Sequence, residues 1–352
     1  MQPYKHYKIT VPCSTANLGP GYDVAGASLS LYLTLDVQIL PPTESFSMTY
    51  EGEGAEDVPL IPEQNLITKT ALYVLSTYGK QLPPIKLHVN NPIPLGRGLG
   101  SSGAAVVGGV MLADVVGELG MDKDRMLDYC LMIERHPDNV AAALVGGFVA
   151  SYLRVLTKEE EEERQRAAPE SETEKVHNGT SANKDGKPPA QPPRGIGHYM
   201  RLRWASEIRA IVVVPQFEVS TAKARAVLPE TYVKKDVIFN LQRLAVLTAA
   251  LAQSPPNPAL IYDAMTDRLH QPYRMGLVPG LAEILANIRP DTHPGLLGIC
   301  LSGAGPTVLA LATDNFENIG NAVQEVFKNA GHKSFYKVLE LVEDGAQCRQ
   351  IM

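Results

Sequence analysis

The chain has 352 residues, of which 45% are hydrophobic, and a formal net charge of −6. This length predicts two domains, and the composition is that of a globular protein with a sizeable core. The negative charge argues against a general nucleic-acid binder. No apolar run reaches the roughly 18 residues of a membrane span, and the first residues do not resemble a signal peptide. Four widely spaced cysteines without a C-x-x-C pair suit reduced thiols, so we expect a cytoplasmic protein.

The first part of the chain is expected to place two polar residues in a loop between strands. The stretch Pro12–Asp23 contains two glycines and two prolines, which predicts a tight loop. Asn17 and Asp23 lie in it with no helix to cap, so they are either turn residues or ligands. The other elements expected in this part are strands at 7–11, 29–39 and 85–89 and a helix at 65–80.

The segment 92–114 has the sequence PIPLGRGLGSSGAAVVGGVMLAD, a glycine-rich loop that leads into a helix at 103–113. Glycines allow positive φ and a close approach of the backbone to a ligand. The N-terminus of the helix offers unpaired N–H groups to an anion. The hydroxyl of Ser102 can reach a phosphate or a phosphate-bound magnesium ion. We therefore predict a loop that binds nucleotide phosphates, formed by Pro94, Gly96, Arg97, Gly98, Leu99, Gly100, Ser101, Ser102 and Gly103.

Other glycine-rich loops fit this segment less well. A Walker loop needs a lysine after the glycines, and none is present. The residues 98–103 match the dinucleotide pattern G-x-G-x-x-G. In dinucleotide-binding folds, however, the glycines follow a strand directly, and an acid comes about 20 residues later. Here residues 92–97 intervene, and the nearest acids, Asp114 and Glu118, lie in the predicted helix. A turn that only caps a helix is the remaining structural alternative.

A polar segment with Glu134, His136, Asp138 and Asn139 follows a second predicted helix. An acid or an asparagine at this place can cap the next helix, but four polar residues are more than a cap needs. Glu134 is a candidate magnesium ligand, because hard cations take carboxylate oxygens. The elements expected around this segment are helices at 122–133 and 140–145 and a strand at 147–153.

The segment 158–197 contains KEEEEERQR and a tract of Ser, Asn, Gly and Lys. It has too few large apolar residues to offset the entropy of ordering, so we predict a disordered insertion. The insertion would separate an N-terminal domain, 1–157, from a C-terminal domain, 198–352.

In the second half, two arginines and a glycine-rich turn are candidate binding features. Arg225 follows a helix start capped by Ser220 or Thr221, and Arg274 lies between prolines. A solvated surface charge is the alternative for both arginines. The turn 301–307, LSGAGPT, suits a backbone beside a ligand phosphate and also suits a plain hairpin. Strands are expected at 200–204, 209–214, 295–301, 308–312 and 335–341, and helices at 233–252 and 316–330.

Three motifs in this order resemble those of the GHMP kinase family: PxSTANLGPGYD at 12–23, PxxxGxGLGSSGA at 92–104 and LSGAGPT at 301–307. Gly103 stands where this family commonly has alanine. The resemblance implies a two-domain α+β kinase with an N-terminal domain like domain 2 of ribosomal protein S5 and a ferredoxin-like C-terminal domain. The active site would lie between them. ATP would bind at the phosphate loop, with Mg²⁺ held by Ser102 and Glu134.

Within this family the chain resembles the members that phosphorylate L-homoserine, through the first motif, the segment around Glu134, and the segments 220–229 and 271–279. The substrate-binding residues that this implies are Asn17 and Asp23 for the ammonium group, Arg225 and Arg274 for the carboxylate, His136 in the pocket wall and Asn139 at the reacting hydroxyl. Asn139 and Asp23 are the candidate catalytic residues. These residue types suit an amino acid, because guanidinium groups bind carboxylates with two parallel hydrogen bonds.

The expected reaction is the ATP-dependent phosphorylation of L-homoserine to O-phospho-L-homoserine, on the route to threonine. The proton acceptor stays open between the γ-phosphate and Asp23 or Asn139 acting through water. Alternative functions are another GHMP kinase of the mevalonate type, an NAD-dependent oxidoreductase and a nucleotide-binding regulator. No nucleic-acid or membrane partner is expected, and a homodimer is left open.

Overall fold

The computed structural model describes residues 5–167 and 189–351. In it the chain forms two β-sheets with helices packed on them, so the α+β class is confirmed. The strands are β1 (His6–Asn17), β2 (Gly21–Ile39), β3 (Ser47–Gly52), β4 (Ile85–Asn91), β5 (Phe148–Leu153), β6 (Gly197–Leu202), β7 (Arg209–Pro215), β8 (Leu296–Leu301), β9 (Val308–Ala312), β10 (Ser334–Leu339) and β11 (Gln347–Gln350). The helices are α1 (Leu66–Thr77), α2 (Ser101–Gly117), α3 (Lys123–Ile133), α4 (Pro137–Val145), α5 (Lys158–Ala167), α6 (Thr221–Ala226), α7 (Lys234–Ala250), α8 (Pro258–Ala264), α9 (Gln271–Arg274), α10 (Leu281–Asn287) and α11 (Phe316–Asn329), with a 3₁₀ turn at Met275–Leu277.

The first sheet is built around the long strand β2. Its strand order is β11-β1-β2-β4-β3, and β5 and β6 extend it from β2. β1 pairs along one edge of β2, while β4 and β5 share the other edge, β4 at 34–39 and β5 at 25–27. The chain that leaves β4 and the chain that enters β5 therefore meet beside the same edge. The first is the glycine-rich loop, and the second is α4.

Helix α2 contacts α1, α3 and α4, and helices α2, α3 and α4 contact strands of the first sheet. α2 is apolar on most of its surface because neighbours surround it, and its small residues allow close contacts. A Cβ at Gly109, for example, would lie 2.4 Å from the carbonyl oxygen of Ile67. None of the helices in the described ranges combines the length and the apolar character needed to cross a membrane.

The second sheet is antiparallel, with the strand order β10-β7-β9-β8. Its strands follow the β-α-β-β-α-β sequence of a ferredoxin-like unit. In β7 the residues 211–214 are all buried, because the sheet is covered on both faces. Val212 and Val214 belong to the core shared with the first sheet, whereas Ile211 and Val213 belong to a separate cluster under α10 and α11.

The predicted loop at 12–23 is a β-hairpin. β1 runs through Pro12 to Asn17, β2 already begins at Gly21, and the turn is limited to residues 18–20. A register shift between Pro12 and Cys13 accommodates the proline, which cannot donate a ladder hydrogen bond. The prediction was wrong in length, because glycine and proline can mark a bulge as well as a loop. Asn17 and Asp23 therefore lie at the rigid end of the two strands.

The segment predicted to be disordered begins with helix α5. Thr157 and Glu160 form a reciprocal cap: the Glu160 N–H donates to Thr157 Oγ1 at 3.2 Å, and the Thr157 N–H donates to Glu160 Oε2 at 2.8 Å. This T-x-x-E capping box is a local helix signal that the charge-run interpretation overlooked. Residues 168–188, which hold the rest of that prediction, lie outside the described part of the chain.

The far end of the same segment is held against α3. Arg125 Nη1 donates to the carbonyl oxygen of Pro192 at 2.8 Å, and the Ile196 N–H donates to Asp128 Oδ1 at 2.8 Å. The chain then enters β6, which belongs to the first sheet, as does β11 at the C-terminus. The first sheet therefore contains strands from both sides of the segment 158–197, so the two sheets do not divide the chain at this segment. The domain boundaries stay a prediction.

Candidate active site

The glycine-rich loop connects β4 to α2 with three residues in the left-handed region. Gly96, Gly98 and Gly100 have φ of +61°, +83° and +66°. A Cβ at Gly98 would lie 2.3 Å from the carbonyl oxygen of Ser302, so glycine is required there. Gly100 is the N-cap of α2, and in the described residues no side chain caps it. The first N–H groups of α2 are thus available to an anionic ligand.

The remaining loop residues differ in their exposure. Gly96 and Ser102 are exposed, and Arg97 is partly buried with its guanidinium 3.7 Å from the Glu53 carboxylate. Gly98 and Gly100 are also partly buried, whereas four residues of the predicted phosphate site are buried: Pro94, Leu99, Ser101 and Gly103. Contact of each of these residues with a nucleotide stays a prediction.

The two predicted magnesium ligands lie together. Ser102, in the first turn of α2, donates a hydrogen bond from Oγ to Oε1 of Glu134 at the end of α3. A hydroxyl and a carboxylate oxygen are ligands that Mg²⁺ prefers. The donor set therefore fits a magnesium ion beside the N-terminus of α2.

His136 lies between two carboxylates. Its Nε2 is 3.3 Å from Glu134 Oε2, and its Nδ1 is 2.9 Å from Asp138 Oδ1. Burial opposes the charged imidazole, but the two carboxylates outweigh it and raise the pKa of His136 to about 9. Burial likewise works against the Asp138 carboxylate, yet the charge of His136 leaves the pKa of Asp138 below its ordinary value. His136 is therefore a cation at neutral pH and joins the two acids.

Asn139 has a defined orientation. Ser14 Oγ donates to Asn139 Oδ1 at 2.9 Å, and the Asn139 Nδ2 is 3.4 Å from Asp138 Oδ1. The amide atom beside a carboxylate must be the NH₂ group, because two oxygens would repel each other. Asn139 thus has its oxygen occupied and offers N–H donors. Ser14 was not identified from the sequence, although it lies in the first motif.

Asp23 and Arg225 form a two-pronged ion pair. Arg225 Nη1 donates to Asp23 Oδ2 at 3.0 Å, and Nη2 donates to Oδ1 at 2.7 Å. Arg225 Nη1 also donates to the hydroxyl of Tyr22 at 2.8 Å. The side chains of Asp23 and Arg225 are 33% and 38% exposed, so a ligand can reach both.

Asn17 holds the backbone around this pair. It is 3% exposed, its Oδ1 accepts from the Asp23 N–H at 3.1 Å, and its Nδ2 donates to the carbonyl oxygen of Gly303 at 2.9 Å. Asn17 and Asp23 have φ of +72° and +56°, a region in which Asn and Asp are tolerated better than most residues. Asn17 therefore has the turn role considered from the sequence. Its direct contact with a substrate stays a prediction.

Arg274 is buried, at 2% exposure, so the surface-charge alternative is wrong for this residue. Its Nε donates to the carbonyl oxygen of Ala224 at 3.0 Å, and its Nη1 donates to that of Gly303 at 3.0 Å and to His270 Nδ1 at 3.2 Å. Its Nη2 has no hydrogen bond to the described residues. The Tyr22 ring centroid is 5.2 Å from the Arg274 guanidinium and 5.5 Å from that of Arg225.

His270 is the neutral partner of Arg274. His270 Nε2 donates to the carbonyl oxygen of Gly19 at 2.7 Å, which leaves Nδ1 unprotonated to accept from the guanidinium. Burial lowers the pKa of His270, the charge of Arg274 adds to this, and Asp267 opposes it. His270 was not identified from the sequence, since a histidine at this spacing from an arginine carries no specific signal.

The turn between β8 and β9 lies against the glycine-rich loop and the charged residues. Ser302 Oγ donates to the carbonyl oxygen of Gly98 at 2.6 Å, and the Thr307 N–H donates to that of Arg97 at 3.2 Å. The Gly303 carbonyl oxygen accepts from both Asn17 and Arg274. The turn is thus more than a plain hairpin, because it contacts the glycine-rich loop on one side and Asn17 and Arg274 on the other.

The predicted residues therefore form one continuous site with a phosphate end and a charged end. Ser102 and Glu134 lie at the first, and Asp23, Arg225 and Arg274 lie at the second. They are linked by His136 and Asp138, whose ligand atoms lie within 4.8 Å of one another and of Asp23.

The sheet topology argues against a dinucleotide-binding fold. The only parallel pairing within residues 5–167 and 189–351 is that of β3 with β4. β5, the strand that follows α2 to α4, is antiparallel to both β2 and β6. The dinucleotide fold needs a mostly parallel sheet after its glycine loop, so the NAD-dependent alternative is not supported.

The chain is similar to known proteins in sequence and in fold. The GHMP kinases N terminal domain matches residues 65–147, and the GHMP kinases C terminal domain matches residues 247–329. The chain is 53% identical to homoserine kinase of Saccharomyces cerevisiae, over 98% of this chain and 99% of that protein. It is 52% identical to homoserine kinase of Schizosaccharomyces pombe, over 97% and 98%. A crystal structure of homoserine kinase from Cytophaga hutchinsonii has a similar fold, with a TM-score of 0.74 at 24% identity, over 98% of this chain and 97% of that one.

The chain belongs to the GHMP kinase family, and its two-domain fold is that of the family. Within the family it falls among the homoserine kinases, since the fungal relatives match it over nearly its full length. The resemblance inferred from the three motifs is thereby confirmed, and the mevalonate-type alternative is not favoured.

Proposed function

We propose that the chain transfers the γ-phosphoryl group of ATP to the hydroxyl of L-homoserine, giving O-phospho-L-homoserine for threonine biosynthesis. The observation that carries this proposal is the position of a carboxylate and two guanidinium groups, those of Asp23, Arg225 and Arg274, beside a phosphate-binding loop. An amino acid offers the complementary charges, and its hydroxyl would face Asn139. A cytoplasmic location and the oligomeric state stay predictions from the sequence.

At the phosphate end, the first N–H groups of α2 bind the phosphates of ATP. Ser102 and Glu134 would hold Mg²⁺, which would neutralise charge on the transferred phosphoryl group. His136 fixes the Glu134 carboxylate from its other side. Phosphoryl transfer depends chiefly on positioning and charge stabilisation, and these residues supply both.

At the charged end, Asp23 binds the ammonium group, and Arg225 and the Nη2 of Arg274 bind the carboxylate. Asn17 and His270 hold these groups in place from behind. The substrate is thereby fixed at one end, so that its hydroxyl is directed towards the phosphate loop.

Asn139 donates a hydrogen bond to the oxygen of the reacting hydroxyl. Its own oxygen accepts from Ser14, and a neutral amide is too weak a base to take the hydroxyl proton, so Asn139 is not assigned as the proton acceptor. The proposal assigns Asp23 to the ammonium group at the charged end of the site, and not to the reacting hydroxyl. The proposal therefore assigns the proton to an oxygen of the transferred phosphoryl group as the new O–P bond forms and the bond to the ADP oxygen breaks.

The test is ADP release from ATP and Mg²⁺ with L-homoserine, mevalonate or galactose, followed by phosphorus NMR of the product. We expect turnover with homoserine alone, and turnover with mevalonate instead would refute the substrate. Ser102→Ala should raise the Mg²⁺ concentration needed for half-maximal rate and lower kcat, with little change in the KM for homoserine. Ser206→Ala, at an exposed serine beside Glu207, is the matched control.

A further inference from the structure

The two residues assigned to opposite charges of the substrate bind each other in this structure. Asp23 and Arg225 are 202 positions apart, and both carboxylate oxygens of Asp23 accept hydrogen bonds from the guanidinium. The planar fork of arginine matches a carboxylate, so this geometry is favourable in itself. A ligand must therefore compete with an existing ion pair, because each of the two groups already has an oppositely charged partner.

An α-amino acid carries the same two charges at a similar spacing. Its ammonium nitrogen and its carboxylate carbon are attached to one carbon, which places them about 2.5 Å apart from ordinary bond lengths and angles. The Asp23 Oδ1 and the Arg225 Nη2 are 2.7 Å apart. The two pairs can therefore lie side by side with opposite polarity, so that each charge has an opposite charge beside it.

We infer that Asp23 and Arg225 act as one unit that selects ligands with both charges on one carbon. This inference rests on the proposed function. A ligand with both charges gives each member of the pair a new partner when the pair loosens. A ligand with one charge binds one member of the pair and leaves the other member without a partner. The free energy needed to break the ion pair therefore lowers the affinity for this ligand.

Tyr22 keeps Arg225 in position while the pair loosens. Arg225 Nη1 donates to both the Tyr22 hydroxyl and Asp23 Oδ2. The Tyr22 ring also lies near the Arg274 guanidinium, so the two arginines stay on one side of the site. Loss of the Asp23 contact therefore leaves Arg225 anchored and ready for a carboxylate.

The inference predicts a gain of affinity that two independent binding groups would not show. The probes are 4-hydroxybutanoate, which is homoserine without its ammonium group, and 3-aminopropan-1-ol, which is homoserine without its carboxylate. Asp23→Asn frees Arg225, so 4-hydroxybutanoate should bind about fivefold more tightly than to wild type. Arg225→Gln frees Asp23, so 3-aminopropan-1-ol should gain by about the same factor. About fivefold corresponds to the upper range measured for partly exposed ion pairs.

Dissociation constants from NMR titrations of the full chain test this. Controls must remove one charge without releasing the pair. Glu218→Gln removes an exposed carboxylate beside Gly96, and Lys223→Gln removes an exposed cation on the same helix as Arg225. Each should change the affinity of either probe by less than about twofold, because distant exposed charges are screened.

A gain above about threefold in both pair variants, with unchanged controls, supports the inference. Unchanged or weaker binding of the probes to the variants overturns it, and so does an equal gain in the controls. Turnover of L-homoserine by the wild type is measured separately. If homoserine is phosphorylated and the gains are absent, only the inference fails, whereas absence of homoserine turnover refutes the proposed function.

Discussion

Replacing Arg274 by leucine should destabilise the whole fold as well as weaken substrate binding. Arg274 donates to the carbonyl oxygens of Ala224 and Gly303 and to His270 Nδ1, all at 3.0–3.2 Å and away from solvent. Leucine cannot donate, and among the described residues only the Gly303 oxygen retains another side-chain donor, Asn17. Each buried acceptor left without a partner costs about 1–3 kcal/mol, so the two losses together amount to about 2–6 kcal/mol.

A thermal unfolding assay measures this effect. For a domain of this size the change corresponds to a decrease of Tm on the order of 10 °C. Arg289→Leu is the matched control, because the Arg289 side chain is 54% exposed and pairs with Asp291 at the surface. Its Tm should stay within about 2 °C of wild type. An Arg274→Leu variant with the wild-type Tm and only a raised KM for homoserine would refute the structural role.

Three further predictions concern other parts of the site. Asn139→Leu should lower kcat by about 10- to 100-fold with little change in the KM for homoserine in steady-state assays, because in the proposed complex its amide contacts the substrate at the reacting hydroxyl alone. Gly98→Ala should lower both Tm and ATP affinity, since its Cβ would lie 2.3 Å from the Ser302 oxygen, whereas Gly79→Ala has open space around its Cβ and should lower Tm far less. Because the pKa of His270 lies below its ordinary value of 6.5, the unfolded chain binds a proton first as the pH falls through 6.5. The wild type should therefore lose Tm between pH 6.5 and about pH 5 faster than His270→Asn, and equal losses would contradict this.

The conformation of the glycine-rich loop could be predicted from the sequence because its signals are local. Positive φ at Gly96, Gly98 and Gly100 follows from the residue type, and the helix that begins at Ser101 follows from the apolar run behind it. The same holds for the helix cap at Ser220, which accepts from the Lys223 N–H at 3.2 Å. The buried strand at 209–214 was also identified, since an uninterrupted apolar run of that length suits a strand covered on both faces.

Local signals failed where two interpretations share one composition. Pro12 and two glycines suggested a loop where the structure has a bulged strand and a short turn. The glutamate-rich run at 158–167 suggested disorder, although the capping box of Thr157 and Glu160 was present in the sequence. In the first case the pairing of the two strands decides, and composition alone does not reveal it. In the second case the deciding signal is local, but the run of like charges masked it.

The residue types of the site were determined by the sequence, and the partners of these residues by the tertiary structure. Ser14 contacts Asn139 across 125 positions, and Asp23 contacts Arg225 across 202. The Gly303 carbonyl oxygen reaches Asn17 across 286 positions. No local pattern encodes such contacts, because they arise only when the β1–β2 hairpin packs against α4 and against α6 and the β8–β9 turn of the second half. That packing makes Arg274 a buried structural group and turns two expected ligand-binding charges into one ion pair.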